Sequence, residues 1–261
     1  MKYLRSDTEL ITLLSRAPYL SLFLDFDGTL VPLAPRPHDI TVPPVVMPLL
    51  TKLSQKPGCT VGIVTGRSLG SLSQHFHAPP GVLVGASHGL EWVIDGRHES
   101  VVLPDGYLPA LHGLYDDLVV FAGRTPGLDL EWKDLSLSAR LRMVPEEHRD
   151  RVRNDVLTLI KNAPGNTLFS IVPGATDLDV RPNIDWTKAD IISYFLKEAR
   201  VDPEAPLLYI GDDTTDEDVF RAFPKSVTVR VGKSADTKAR YYVRGVSDVL
   251  SFLRELSRDR I

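Results

Sequence analysis

Four short apolar runs, each closed by glycine or polar turn residues, constrain the fold of this chain more than any other feature. They are residues 22–24 before Asp25, 61–64 before Thr65-Gly66-Arg67, 82–84 before Gly85, and 207–210 before Gly211. Runs this short, apolar without alternation, read as strands buried on both faces. Between them lie stretches with helical spacing, such as Val45, Leu49, Leu50 and Leu53, and later Ile192, Phe195, Leu196 and Ala199. Strand and helix in alternation predict an α/β fold, doubly wound around a parallel sheet. Ligands of such sheets bind beyond the carboxyl ends of the strands, so the residues that close these runs are the candidate functional ones.

The middle of the chain breaks the rhythm. Residues 107–121 read as a helix, 128–133 as a strand, and 146–161 as a second helix. Leu135, Leu137, Ala139, Leu141 and Met143 alternate with Ser136, Ser138, Arg140 and Arg142, a period of two with one apolar and one polar face. Two further strands are predicted at 168–172 and 177–181. This block reads as an antiparallel sheet backed by two helices, an α+β domain at 105–181 inserted into a core of residues 1–104 and 182–261. The helix that resumes the core is expected at 187–200.

Charge narrows the partners. With 34 acidic and 30 basic residues the formal net charge is −4, and no basic stripe offers itself to nucleic acid or an anionic membrane. The one cysteine, Cys59, excludes an intramolecular disulfide; inside an apolar run it reads as a core residue of a reducing compartment. Residues 1–20 mix Asp7, Glu9 and Arg16 with apolar residues, unlike a signal peptide, and no run is long enough to span a bilayer. A cytoplasmic protein is the expectation.

Chemistry concentrates at the strand ends. The first run leads into Asp25-Phe26-Asp27-Gly28-Thr29, where glycine permits a sharp turn. Asp and Gly dominate turns for conformational reasons alone, but two carboxylates two residues apart can also divide labour. Beside a metal ion, Asp25 stays ionised to attack phosphorus while Asp27 carries a proton. Thr65, at the next strand end, offers a hydroxyl and nearby N–H groups to phosphate oxygens. Lys188, early in the resuming helix, offers positive charge where a helix N-terminus already favours anions. Residues 211–218 hold five acids, Asp212, Asp213, Asp216, Glu217 and Asp218. Such hard oxygen ligands suit Mg²⁺, and Glu217 and Asp218 suit the start of a helix.

These four segments, in this order, resemble the motifs of the haloacid dehalogenase superfamily of phosphohydrolases. The resemblance implies Asp25 as nucleophile forming an aspartyl-phosphate, Asp27 as general acid/base, and Thr65 and Lys188 as phosphate clamps. It implies Mg²⁺ held by Asp25, the Asp27 carbonyl and Asp212, with Asp213 and Asp216 in support, and an inserted cap that covers the site and selects the substrate.

Within that superfamily the chain is most similar to the trehalose-6-phosphate phosphatases, over nearly all its length. Gly211-Asp212-Asp213-Thr214-Thr215-Asp216-Glu217, Ser87-His88-Gly89-Leu90-Glu91, Thr65-Gly66-Arg67-Ser68 and Leu130-Glu131-Trp132-Lys133 each resemble a family segment. The resemblance implies substrate contacts from Arg67, His88, Gly89, Glu131, Lys133 and Asp179. It implies a phosphoric monoester hydrolase acting on trehalose 6-phosphate, and a trehalose-phosphate synthase as a protein partner. The chain departs from the pattern at Asp179, where the family has Glu, at Arg140-Leu141-Arg142, where it has H-Y-R, and at Ala189, where it has Gly. Phosphatases of glucosylglycerol phosphate, mannosylphosphoglycerate or sucrose phosphate, a sugar phosphomutase, and a non-catalytic regulatory domain are the alternatives.

Overall fold

The computed structural model describes residues 1–34, 36–174, 176–199, 201 and 205–259. The chain separates into two compact units, Met1–Ser100 with Trp186–Ile261, and Val101–Asp185. The second unit extends beyond residues 105–181 at both ends.

The first unit begins with β1 (Lys2–Tyr3), α1 (Thr8–Arg16), β2 (Leu20–Leu24), α2 (Val46–Ser54), β3 (Cys59–Val64), α3 (Leu69–Ser73), β4 (Val82–Ala86), β5 (Glu91–Ile94) and β6 (Arg97–Ser100). The second unit holds α4 (Tyr107–Ala122), β7 (Asp129–Trp132), β8 (Leu137–Arg140), α5 (Glu146–Asn162), β9 (Phe169–Pro173) and β10 (Asp177–Pro182). The first unit resumes with α6 (Lys188–Glu198), β11 (Leu207–Gly211), α7 (Glu217–Ala222), β12 (Val227–Val231), β13 (Tyr241–Val243) and α8 (Val246–Asp259). Of the helix expected at 187–200, Arg200 lies outside the described residues.

The core sheet runs in the order β1-β13-β12-β11-β2-β3-β4-β5-β6. Its pairs are parallel from β1 across to β4, and β5 and β6 extend it antiparallel. Each face of the buried strands has its own cover. Leu20, Leu22 and Leu24 of β2 share one apolar cluster with Leu14 of α1, Leu50 and Leu53 of α2, and Phe252 of α8. Phe23, pointing the other way, stacks on Phe195 of α6 with ring centroids 6.2 Å apart. Strands covered on both sides need no polar alternation, which is why β2, β3 and β11 read as plain apolar runs.

The β5–β6 hairpin was not among the strands expected, although it carries a signal. Asp95 and Gly96 both have positive φ, +50° and +75°, as a two-residue type I′ turn requires, and Asp-Gly is a preferred pair for that turn. Cys59 opens β3 half-buried rather than in the core.

In the second unit the antiparallel order is β7-β8-β10-β9. Leu137, Ala139, Leu178 and Val180 form one face and pack with Leu111, Leu114 and Leu118 of α4 and Val152, Val156 and Ile160 of α5. The opposite face carries Glu131, Ser138 and Asp179 in one row, Glu131 opposite Ser138 and Ser138 opposite Asp179. The alternation expected to run on to Met143 stops earlier. β8 ends at Arg140, a turn follows in which Val144 N–H donates to the Leu141 carbonyl at 3.0 Å, and Met143 is 56% exposed.

Candidate active site

The strand order reverses at β2 and β11: from β2 the chain winds through β3 to β4 on one side, and from β11 through β12 to β13 on the other. Such a switch point opens a crevice at the carboxyl ends of the two strands. Asp25 follows β2 and Asp212 follows β11, and Asp25 N–H still donates to the Ile210 carbonyl at 2.9 Å. Gly28 turns the chain with φ +76°, and a Cβ there would lie 2.0 Å from Asp212 Oδ2. Only glycine allows the two loops this approach.

Lys188 joins them as the first residue of α6. Its helix start is fixed by a capping box, in which Thr187 Oγ1 accepts from Ala189 N–H at 3.2 Å and Asp190 accepts from Thr187 N–H at 2.8 Å. The ammonium donates to Asp25 Oδ1 at 2.7 Å and to Asp216 Oδ1 at 2.8 Å. Asp216 is fully buried. Besides Lys188 it accepts from the Tyr209 hydroxyl at 2.5 Å on Oδ1 and from Asp213 N–H at 2.9 Å on Oδ2. Asp216 thus already accepts from three donors, Lys188 among them.

The electrostatics of the cluster call for more positive charge. Burial pushes the Asp25 carboxyl well above the usual carboxylate range, opposed by Lys188 and reinforced by Asp216 and Asp212. Burial and then Asp216 push Asp212 up to about 7. Burial works against the charge on Lys188, yet Asp216 and Asp25 hold its pKa above the ordinary lysine value. Burial, Asp216 and Asp25 likewise raise the Tyr209 hydroxyl. Carboxylate oxygens of Asp25, Asp212 and Asp216 all lie within 4.8 Å of one another. Buried like charges raise each other's pKa unless a cation separates them. A divalent ion that prefers oxygen ligands fits this donor set.

The ends of β3 and β4 brace a second part of the site. Thr65 N–H donates to the Gly85 carbonyl at 2.8 Å, and the Thr65 carbonyl accepts from His88 N–H at 2.8 Å. Thr65 Oγ1 accepts from Arg67 N–H at 3.2 Å. The His88 imidazole lies so close over Gly66 that a Cβ there would sit 2.4 Å from Cε1. The Gly89 carbonyl accepts from Trp186 Nε1 at 2.7 Å. Arg67 reaches Asp27 with two parallel bonds, Nε to Oδ2 at 2.6 Å and Nη2 to Oδ1 at 2.7 Å. Asp25, Asp27, Thr65, Arg67, Lys188, Asp212 and Asp216 therefore belong to one set of linked loops, whereas Asp213 enters that set through its backbone.

Glu131, Lys133 and Asp179 come together on the polar face of the second unit. Lys133 Nζ lies 3.6 Å from Glu131 and 3.2 Å from Asp179, Arg181 donates to Asp179 at 3.2 Å, and Ser138 donates to Asp179. Arg140 donates to Glu131.

Two contributors were given no role in the sequence reading, although Glu91 stands in one of the family-like segments. Tyr209 lies inside the apolar run of β11, and a buried tyrosine must find a partner for its hydroxyl, which was signal enough. Glu91, 4% exposed, accepts from the Ser87 hydroxyl at 2.8 Å and from Leu69 N–H at 3.1 Å, tying the loop of His88 to the start of α3.

Residues 23–247 match the sequence model of the Trehalose-phosphatase family. The chain belongs to that family. A trehalose-phosphate phosphatase of Mycobacterium tuberculosis is 29% identical over 94% of this chain, which spans 63% of that relative's length. Among solved structures, the C-terminal domain of trehalose-6-phosphate phosphatase from C. albicans superposes with a TM-score of 0.83, covering 98% of this chain and 97% of that one at 20% identity. The C-terminal domain of the Candida albicans trehalose synthase regulatory protein superposes with a TM-score of 0.65, covering 97% and 98% at 16% identity. The trehalose-phosphatase fold thus also occurs in a protein named as regulatory, so for this chain the side chains at the strand ends decide what the fold can do. Among the described residues no helix is long and apolar enough to cross a membrane.

Proposed function

We propose that this member of the trehalose-phosphatase family is a Mg²⁺-dependent phosphomonoesterase that hydrolyses trehalose 6-phosphate to trehalose and phosphate through an aspartyl-phosphate at Asp25. The observation that carries the reading is the bridge from Lys188 to Asp25 and Asp216, with Asp212 alongside. Mg²⁺ held by Asp25, Asp212 and the Asp27 carbonyl supplies the charge that lets an anionic phosphate approach anionic side chains. An Asp25 oxygen attacks phosphorus, the bond from phosphorus to the sugar oxygen breaks, and Asp27 passes its proton to that oxygen. Asp27 then takes a proton from water, whose oxygen attacks the phosphorus of the acyl phosphate and releases inorganic phosphate. Lys188 and Thr65 hold the phosphoryl oxygens throughout, and Asp213 and Asp216 steady the loop that carries Asp212.

Glu131, Lys133 and Asp179 are assigned to the sugar, since charged groups form the stronger hydrogen bonds to hydroxyls. His88 and Gly89 are assigned to the substrate with them. Residues 105–181 form the specificity-setting cap in this reading, the protein is cytoplasmic, and its protein partner is a trehalose-phosphate synthase.

A second reading on substrate has one observation in its favour. Arg140, where the family has His, engages Glu131, which supports another glycosyl phosphate, such as glucosylglycerol phosphate, mannosylphosphoglycerate or sucrose phosphate.

Phosphate release with Mg²⁺, and again with chelator, across these sugar phosphates, glucose 6-phosphate and p-nitrophenyl phosphate tests both. Metal-dependent preference for trehalose 6-phosphate is the expected result. Preference for another sugar keeps the chemistry and changes the substrate. Turnover that needs a bisphosphate primer makes the protein a mutase, and no turnover of any substrate makes it regulatory.

A further inference from the structure

Asp27 differs from the other acids of the site. Asp25 and Asp216 are held by a lysine, a point charge on a flexible stem; Asp27 is held by a planar fork. Its side chain is 28% exposed while that of Arg67 is 7% exposed, so the guanidinium is the fixed partner and the carboxylate the one being placed. Arg67 is itself tied down along its backbone. Its N–H donates to Thr65 Oγ1 at 3.2 Å, its carbonyl accepts from Ser87 N–H at 2.6 Å, and the next residue, Ser68, caps α3 by accepting from Ser71 N–H at 3.1 Å. Nη1 lies 3.4 Å from Ser71 Oγ.

We infer that Arg67 is a positioning residue that sets the orientation of the Asp27 carboxylate for proton transfer, rather than a ligand of the substrate. A carboxylate oxygen has two lone pairs, and the fork occupies one on each oxygen of Asp27, leaving one on each for the proton it exchanges. Two parallel bonds fix the plane of the carboxylate as well as its place, which one bond from a lysine cannot do. Proton transfer needs that fix, because its geometry must be met within a few tenths of an ångström. The inference rests on the roles proposed above for Asp25 and Asp27.

The test is the dependence of kcat/KM on the leaving group, across substituted phenyl phosphates and simple alkyl phosphates that carry no sugar. A p-nitrophenolate departs as a stable anion and draws little on an acid; an alkoxide needs the proton. kcat/KM covers the steps up to departure of the leaving group, so the later use of Asp27 as a base does not enter. Asp27→Asn is expected to reduce kcat/KM most for the alkyl phosphates, by about 10²–10⁴-fold, and least for p-nitrophenyl phosphate. Arg67→Lys, which keeps the charge and loses the fork, is expected to steepen the same dependence, by about tenfold or more for the alkyl phosphates. In the Asp27→Asn background Arg67→Lys should then cause little further loss, because residues acting as one unit are not additive. Should Arg67→Lys be poorly folded, Arg67→Ala with added guanidinium serves instead, with rescue expected to be largest for alkyl phosphates.

An equal loss for every phosphate would make Arg67 a phosphate ligand, and a loss confined to sugar phosphates would make it a sugar ligand; either overturns the inference. Additive losses in the double variant overturn it as well. If Asp27→Asn itself shows no dependence on the leaving group, the acid role fails and the inference falls with it. If Asp27→Asn shows the dependence and Arg67→Lys does not, the role of Asp27 stands and only the inference is lost.

Discussion

The first unit gathers Asp25, Asp212 and Asp216 around Lys188 in a site whose members, apart from Asp212, are 0–5% exposed. The second unit gathers Lys133, Arg140 and Arg181 around Glu131 and Asp179, with side chains 7–22% exposed. Counted as ionised, the first set carries three negative charges against one positive, and the second three positive against two negative. In the second set each charge already has an opposite charge beside it, so the face is complete without a ligand. The first set is short of positive charge where water cannot supply screening, and burial first, then the neighbouring acids, raise the carboxyls of Asp25 and Asp212. One unit thus needs a cation before an anionic phosphate can approach it, and the other presents a polar face whose charges are already paired; in the proposed reading that face exchanges its internal bonds for sugar hydroxyls.

The sharpest way to break this contrast is to remove the nucleophile. Asp25→Asn keeps the shape of the side chain and loses its charge, and turnover of every phosphomonoester should fall by at least about 10⁴-fold. Single-turnover assays check this, with substrate affinity measured separately to show that the site still forms. Substantial remaining turnover would mean that Asp25 is not the attacking group.

Changes in the second unit should act on choice instead of chemistry. Glu131→Ala or Lys133→Ala is expected to reduce kcat/KM for the sugar phosphate by about 10–100-fold, the effect of losing charge-assisted bonds worth about 1.5–3 kcal/mol. For p-nitrophenyl phosphate the loss should be several-fold smaller. Equal losses on both substrates would show that this face does not read the sugar, and the contrast between the units would fail.

The two regions were also unequally legible in the sequence. The acids of the first unit stand directly after buried apolar runs, and the carboxyl ends of parallel strands meet at the switch point whatever the details of packing. Asp25 and Asp212 could therefore be picked out by position, whereas Lys188, the first residue of α6, took its role from the family resemblance. The partner of Asp27 could not, because Arg67 is 40 residues away and its fork depends on how α3 is capped. In the second unit the residues were visible but their pairing was not. Arg140 and Glu131 meet through the register of β7 on β8, and Asp179 joins through β10 on β8. A slip of one residue would send each of these side chains to the opposite face. Strands β12 and β13 went unread for a related reason: they build the sheet's far side and carry no chemistry to mark them.

The smallest expected effect separates the units by their response to pH. Burial and then Asp216 push the Asp212 carboxyl up to about 7, above the ordinary Asp value, so between the two the folded metal-free protein binds more protons than the unfolded chain. Stability must then fall as pH rises through that window, in contrast to Asp248, whose carboxyl is lowered to about 2 by Arg244 and which loses its contribution only in strong acid. Mg²⁺ binds the deprotonated carboxylates, so it should remove the penalty and stabilise more at pH 8 than at pH 5. Calorimetric Tm values with chelator and with Mg²⁺ are expected to differ by a few °C more at the higher pH. Asp212→Asn should abolish that difference, whereas Asp179→Asn, in the region that is already balanced, should leave it in place. An equal Mg²⁺ effect at both pH values would show that burial and the neighbouring acids do not raise the carboxyls at the strand ends, and the charge shortage that distinguishes the first unit would have to be abandoned.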